Sequence, residues 1–230
     1  MEIEIVGAEA SGAETGRYLR RGWLGLVRKR LFDLVVAGAG VLVAAPLFLV
    51  IAIAIKRDTP GPVFFRQLRV GRHRRSFSMW KFRKMPHDLR EQGPMLTARD
   101  DRRLTRVGFW LERTKLDELP QLLNVLAGEM SVVGPRPEVP KFVDRATPEL
   151  WDQVLSVKPG IFGANQIRFR NEADLYPPDC TDIEDFYLHH ILPEKLLVDS
   201  GYAHHSGWFG DLSLLLRGLL ASVFDVAPRR

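Results

Sequence analysis

Two carboxylates stand side by side at Asp117 and Glu118, in the segment Arg113-Thr114-Lys115-Leu116-Asp117-Glu118-Leu119-Pro120-Gln121, among apolar residues and cations. Adjacent residues do not share a helix face. The two acids can therefore take different tasks, one aimed at a reacting centre and the other holding a divalent ion on phosphate oxygens. Alone, an acidic pair near a helix start serves more often to complement the helix dipole than to catalyse. The surrounding charge points further. Phosphate chemistry needs cations around a leaving diphosphate, and Lys81, Arg83, Lys84, Arg113, Lys115 and Arg136 are candidates. The plain alternative for most of them is a solvated basic face.

Two later segments add rigid mounts. Gly134-Pro135-Arg136-Pro137 sets a guanidinium between two prolines, which limits the entropy lost when the Arg meets a phosphate or a nucleobase. Lys158-Pro159-Gly160-Ile161-Phe162-Gly163 carries two glycines, which allow close backbone approach to a ligand and equally suit an ordinary turn; it reads as a loop.

The elements that must position these residues follow from periodicity. From Leu34 to Ile55 every side chain is uncharged and nearly all are apolar, and as a helix the run would span roughly 33 Å. A buried core helix would need partner surface on every side in so small a chain, so membrane entry is the expectation. Arg28-Lys29-Arg30 precede the run and Lys56-Arg57 follow it; basic flanks hold both ends on one side of the bilayer. Pro46, near the middle, lacks an N–H and crowds the preceding turn. Together these favour a re-entrant helix-break-helix over the alternative, one kinked transmembrane helix. After Pro60-Gly61-Pro62, the runs Val63 to Val70 and Phe77 to Phe82 predict a basic β-hairpin. Helical spacing returns at Val107 to Leu111 and from Leu116 to Leu126, with Gly128 as a stop. The tail from Gly210 to Phe224 reads equally well as an interfacial or a core helix.

The chain of 230 residues has room for one catalytic unit plus an anchor. The expected fold is α+β and helix-rich, divided into an N-terminal extension (1–27), a re-entrant anchor (28–57) and a cytosolic domain (58–230). A formal charge of +5 favours an anionic partner without choosing among nucleic acid, lipid headgroups and phosphorylated substrates. The single Cys180 cannot close an intrachain disulfide, which fits a cytosol-facing domain. The acidic start Met1-Glu2-Ile3-Glu4 lacks a basic region before the apolar block, so no cleaved signal peptide is expected.

Taken in order, these motifs resemble the bacterial sugar transferases, monotopic polyprenyl-phosphate phosphoglycosyl transferases. The resemblance runs from about Lys29 to Phe224. It rests on Asp33, the apolar block with Pro46, Gly61-Pro62-Val63-Phe64-Phe65 with Gln67, Arg69 and Gly71, and Lys81-Phe82-Arg83. It continues through Leu116-Asp117-Glu118-Leu119-Pro120-Gln121-Leu122, Gly128-Glu129-Met130-Ser131-Val132-Val133-Gly134-Pro135-Arg136-Pro137, and Lys158-Pro159-Gly160-Ile161 with Gly163 and Gln166. The resemblance implies transfer of a sugar 1-phosphate from a UDP-sugar to polyprenyl phosphate, with UMP released and polysaccharide or glycoconjugate synthesis begun. It implies Asp117 as the nucleophile that forms a covalent phosphosugar intermediate, and Mg²⁺ held by Glu118 with Asp117. It places Lys81, Arg83, Arg113, Pro135, Arg136 and Pro137 around the substrate. The helix broken at Pro46 would hold the protein in the membrane lipid at the cytoplasmic face of the inner membrane. A homodimer is left open.

Three positions depart from the family pattern. Ala45 precedes the proline where Ser is frequent, Glu112 and Lys115 replace an Arg and a Ser before the carboxylates, and Phe162 stands where Thr is familiar. Two rivals remain. A non-catalytic membrane scaffold has no need of Asp117-Glu118. A nucleic-acid binder, suggested by Arg72, Arg74 and Arg75 near Phe77, Trp80 and Phe82, has no use for the apolar block; no nucleic-acid partner is expected.

Overall fold

A 36-residue helix, α1 (Trp23–Asp58), opens the computed structural model, which describes residues 23–86, 101–145, 147–170, 172–177, 180, 182–205 and 207–224. The expected N-terminal extension falls, up to residue 22, outside the described residues. Helix α1 continues through Pro46, which corrects the expected interruption there. Proline forfeits its own N–H bond and crowds the preceding turn, but within about ten turns of a long apolar helix this need not end it. The helix has one docked face. Asp33, Ala37, Ile51 and Ile55 are buried, with Phe48 partly so, and steps of three and four residues place them on a single stripe. On the outer side Val35, Leu42, Val43, Leu49 and Val50 are 61–80% exposed.

The hairpin forms as the alternation predicts. Strands β1 (Phe64–Val70) and β2 (Ser76–Phe82) pair antiparallel with Phe65 opposite Lys81. Side chains alternate across a strand, so Phe77, Met79 and Lys81 share the inward face of β2, and all three are buried. Part of the set that suggested nucleic acid is used internally, while Arg74 and Arg75 stay exposed. Arg66 stacks on Trp80 at 3.8 Å, Arg72 donates to the Ser156 carbonyl, Arg74 pairs with Asp152, and Phe77 and Phe82 are core residues.

Helix α2 (Arg106–Thr114) is followed by a single 3₁₀ turn at Leu116–Glu118 and then α3 (Gln121–Ala127), which ends at Gly128 with φ 86°. The chain breaks between α2 and the turn because Lys115 adopts φ 57°, a left-handed conformation that ends a helix. Strand β3 (Ser131–Val133) pairs in parallel with β4 (Gly160–Phe162), so the segment expected to be a loop contributes a strand. Helices α4 (Pro140–Val143), α5 (Pro148–Val154), α6 (Ala164–Arg168), α7 (Ile183–Phe186), α8 (Leu192–His205) and α9 (Trp208–Phe224) complete the described chain.

Among the described residues three clusters make the core. Ala37, Val125, Val132, Val133 and Leu215 join α1, α3, β3 and α9; Ile51, Ile55, Phe82 and Leu111 join α1 to β2 and α2. Phe142, Trp151, Tyr187 and Leu192 pack α4, α5 and α8 against the hairpin through Val70. Polar contacts staple the start of α1. Arg30 donates to the carbonyls of Val125 and Leu126 at the end of α3 (2.6 and 2.9 Å), and buried Asp33 accepts from Ser131 Oγ and the Val132 amide. In α9, Leu215 and Asp211 are buried while Phe209, Leu216 and Leu220 are 84, 51 and 55% exposed. The tail thus packs by one face and presents the other outward. Phe162 packs onto α9, where a Cβ at Gly218 would lie 2.3 Å from its ring.

Candidate active site

The 3₁₀ turn after Lys115 sets Asp117 and Glu118 between β2 and the segment that leaves β3. Asp117 is 3% exposed, and its Oδ1 is buried with no hydrogen-bond partner among the described residues. Glu118 is gripped from two sides. Arg136 donates from Nη1 to Oε2 at 3.1 Å and from Nη2 to Oε1 at 2.5 Å, and Lys81 Nζ donates to Oε1 at 3.1 Å. The adjacent acids therefore differ in environment, as their alternating directions allow.

The electrostatics separate them further. Burial pushes the Asp117 carboxyl above the usual carboxylate range; Lys81 opposes this and Glu118 adds to it. Burial also acts on Glu118, but Arg136 and Lys81 outweigh it and hold this carboxyl well below the usual range. Burial brings the Lys81 ammonium down to about 8, with Glu118 resisting. Glu118 raises the Arg136 guanidinium against the cost of burial. One acid is thus committed to holding cations, and the other is left with unused lone pairs.

Arg136 owes its place to backbone geometry. The Gly134 amide donates to the Phe162 carbonyl and the Gly160 amide to that of Pro135. A Cβ at Gly160 would fall 2.0 Å from the Gly134 nitrogen, and one at Gly134 2.4 Å from the Lys158 oxygen. Only two glycines let these backbones meet so closely. Arg69 then donates to the Pro137 carbonyl at 3.1 Å, and the Val70 amide to that of Glu138 at 2.8 Å. With residues 134–138 pinned on both sides, the Arg136 side chain projects to Glu118.

Behind Arg136 lies a second polar network. Arg69 Nη1 donates to Glu138 Oε1 at 3.0 Å, Tyr187 OH donates to Glu138 Oε2 at 2.5 Å, and Lys195 Nζ donates to Tyr187 OH at 3.1 Å. Lys195 also donates to Glu172 Oε2 at 2.7 Å, and Tyr176 OH to Glu172 Oε1 at 3.0 Å. Apart from Arg69, noted in the resemblance, sequence reasoning missed these residues. No spacing connects them, because β1, α8 and the turn at Glu172 are distant in the chain.

Of the cations expected around the pair, the structure brings Lys81 and Arg136 into contact. Lys84 and Lys115 lie near enough to lower the carboxyls electrostatically, and Lys84 pairs with Glu112 at 3.3 Å. Arg83 is not among them. It is buried, and its guanidinium donates to the carbonyls of Thr59, Pro60 and Pro62 (2.8, 2.9 and 2.7 Å), closing the turn after α1. Arg113 is exposed at the end of α2. Pro135 and Pro137 act through their carbonyls, and Pro46 lies in the exposed middle of α1.

Among the described residues no three His, Cys, Asp or Glu converge as a metal cage. A Mg²⁺ here would take one or two carboxylates and complete its shell with phosphate oxygens and water, a usual arrangement for this ion. The residues fit that role, since Asp117 Oδ1 has no hydrogen-bond partner among the described residues and Glu118 Oε2, which accepts from Arg136 Nη1, keeps a lone pair, whereas Oε1 is taken by Arg136 and Lys81.

A family model described as bacterial sugar transferase matches residues 24–225. The undecaprenyl-phosphate glucose phosphotransferase of Komagataeibacter xylinus is 44% identical over 150 residues, which make up 62% of this chain and 28% of that protein. The exopolysaccharide production protein PSS of Rhizobium leguminosarum bv. phaseoli is 43% identical over 150 residues, 62% of this chain and 74% of that protein. The UDP-glucose:undecaprenyl-phosphate glucose-1-phosphate transferase of Escherichia coli (strain K12) is 42% identical over 149 residues, 64% of this chain and 32% of the relative. The chain thus spans about a third or less of the length of two of these relatives, and most of the other.

Proposed function

Because the chain belongs to the bacterial sugar transferase family, we propose that it transfers a sugar 1-phosphate from a UDP-sugar to undecaprenyl phosphate through a covalent intermediate on Asp117. The relatives' names supply the substrate classes. The observation that carries the mechanism is Asp117 itself, buried and lacking a hydrogen bond to Oδ1, beside a Glu118 already held by two cations.

An Asp117 oxygen attacks the phosphorus that bears the sugar. A bond forms from the carboxylate to phosphorus, and the bond from phosphorus to the bridging oxygen breaks, so UMP departs with that oxygen. A phosphate oxygen of the lipid then attacks the same phosphorus and frees Asp117. A carboxylate is a modest nucleophile, so the diphosphate charge must be countered first. Arg136 and Lys81 stand ready for this, each already oriented by Glu118. Mg²⁺, when bound at Asp117 and Glu118, would supply further charge neutralisation on the phosphate oxygens. Desolvation of Asp117 strengthens the attacking carboxylate once the cations keep it ionised.

Membrane placement belongs to the same proposal. Five exposed Val and Leu side chains on α1 would each forgo roughly 1.5–3 kcal/mol if left in water, which supports lipid contact. One body packs against both the beginning of α1, at Arg30 and Asp33, and its end, at Ile51 and Ile55. This supports a helix that does not cross but lies with both ends at the cytoplasmic face of the inner membrane.

The test is to mix the purified protein with UDP-sugar alone and map adducts by peptide mass spectrometry. The expected result is a phosphosugar on Asp117, released UMP, and exchange of labelled UMP into UDP-sugar without lipid acceptor. An adduct elsewhere, or kinetics that demand both substrates bound together with no exchange, would overturn the two-step scheme.

A further inference from the structure

Glu118 is not the only carboxylate tied to the segment that carries Arg136. Lys195 links Glu172 to Tyr187, which donates to Glu138 two residues past Arg136, and Glu172 also adds to the rise of the Arg136 guanidinium. Its two oxygens are held separately, Oε2 by Lys195 and Oε1 by Tyr176. The donors along this network run in one direction, from Lys195 through Tyr187 to Glu138, with Arg69 closing the far end. Its inner members are nearly closed to solvent, with side chains 8% exposed at Lys195, 11% at Glu138 and 12% at Arg69. Glu172, at 26%, is the end that opens outward. Two hydrogen bonds from largely buried donors hold the Glu172 carboxylate in place, and Glu172 is therefore a pre-oriented acceptor with a spare lone pair on each oxygen.

Charge decides what it accepts. A carboxylate repels phosphate, so an anion seated on Arg136 would not extend onto Glu172; an uncharged hydroxyl donor would. In a nucleotide-sugar the groups flanking the diphosphate on both sides are polyols, the ribose and the transferred sugar, and a carboxylate accepting from neighbouring hydroxyls is a common way to read such a ring.

We propose that Glu172, oriented by Tyr176 and Lys195, is a hydroxyl-binding subsite for a vicinal diol of the nucleotide-sugar beside Arg136. The proposal rests on the transferase reading above and goes beyond it by assigning a residue that discriminates substrates. A site built to accept from a hydroxyl rejects analogues that lack one.

The experiment uses the full chain in detergent, with UMP and deoxyuridine monophosphate as binding probes and a panel of UDP-sugars as substrates. Wild-type protein that neither binds UMP nor turns over any UDP-sugar would sink the transferase reading and the subsite with it. Given an active wild type, Glu172→Gln and Tyr176→Phe are compared with it, and a thermal unfolding midpoint checks that each folds. If the diol is the ribose, UMP binding weakens roughly tenfold or more in Glu172→Gln, while binding of the deoxy probe is weak throughout and unchanged by the substitution. If the diol is on the transferred sugar, UMP binding is unchanged, KM for UDP-sugar rises by a similar factor with kcat much less affected, and the order of preference among UDP-sugars changes. Should Glu172→Gln fail to fold, Tyr176→Phe alone must shift one of these constants at least threefold. Constants within twofold of wild type in every folded variant would overturn the subsite while leaving the transferase reading intact.

Discussion

Arg136 holds Glu118 by both carboxylate oxygens, reaching across 18 positions of chain to join the segment after β3 to the turn before α3. The pairing is planar and two-pronged, which an ammonium cannot reproduce. Arg136→Lys is therefore expected to behave much like Arg136→Ala, each lowering kcat/KM by roughly one to three powers of ten. Steady-state release of UMP measures this, and near-wild-type activity in Arg136→Lys would show that charge alone suffices.

Arg83 and Arg113 separate stability from activity. Arg83→Ala leaves three backbone carbonyls without their donor, with an expected loss of about 2 kcal/mol or more of stability. The rate per folded molecule should hold. Arg113→Ala, at an exposed position, is expected to change turnover less than threefold, whereas Lys81→Ala, which strips a buried cation from Glu118, should cost tenfold or more. A large loss in Arg113→Ala would mean that substrate draws α2 toward the pair.

If both ends of α1 lie on one side of the membrane, cysteines at each end share one accessibility. In a Cys180→Ser background, Gly25→Cys and Lys56→Cys should both resist an impermeant thiol reagent in intact cells and both react after lysis. Labelling of only one in intact cells would establish a crossing helix.

Asp199 gives a pH signature. It is 2% exposed and accepts from Asn165 Nδ2 at 2.5 Å. Burial pushes its carboxyl up to about 8; Lys195 and the backbone amides of Asn165 and Arg136 resist, while Glu138 reinforces burial. An ordinary Asp ionises near 4 in the unfolded chain. Between about pH 4 and pH 8 the unfolded state has released this proton and the folded state has not, so wild-type stability falls as pH rises through that window. Asp199→Asn removes the titration. It is expected to be more stable than wild type by ~1–3 kcal/mol near pH 8, with the gain shrinking toward pH 4. Parallel denaturation curves at both pH values check this, and a gain that does not vary with pH would assign the effect to something other than ionisation.

Much of the site was legible because it is written in adjacent residues. The Asp117-Glu118 pair, the proline-framed Arg136 and the alternating strand that carries Lys81 are local patterns, and period-2 alternation alone turns Lys81 to the inward face with Phe77 and Met79. The apolar block announced a long helix by composition, and Gly128 announced the end of α3.

Tertiary structure decided the rest. Sequence offered six cations of one sign, and nothing in their spacing says that Arg83 closes a turn while Arg136 grips Glu118; packing and the close approach of Gly134 and Gly160 choose between them. Residues 160–162 look like a loop until β3, about thirty residues earlier, supplies a partner for a parallel strand. Helix α1 continues past Pro46 because its docked stripe at Ala37, Phe48, Ile51 and Ile55 meets the body on both sides of the proline. The network ending at Glu172 joins side chains from β1, α8 and a short turn, elements that only the folded chain brings together. Local propensity and pattern reach a few residues along the chain, whereas the assignment of a charge to solvent, structure or substrate depends on which distant surface covers it.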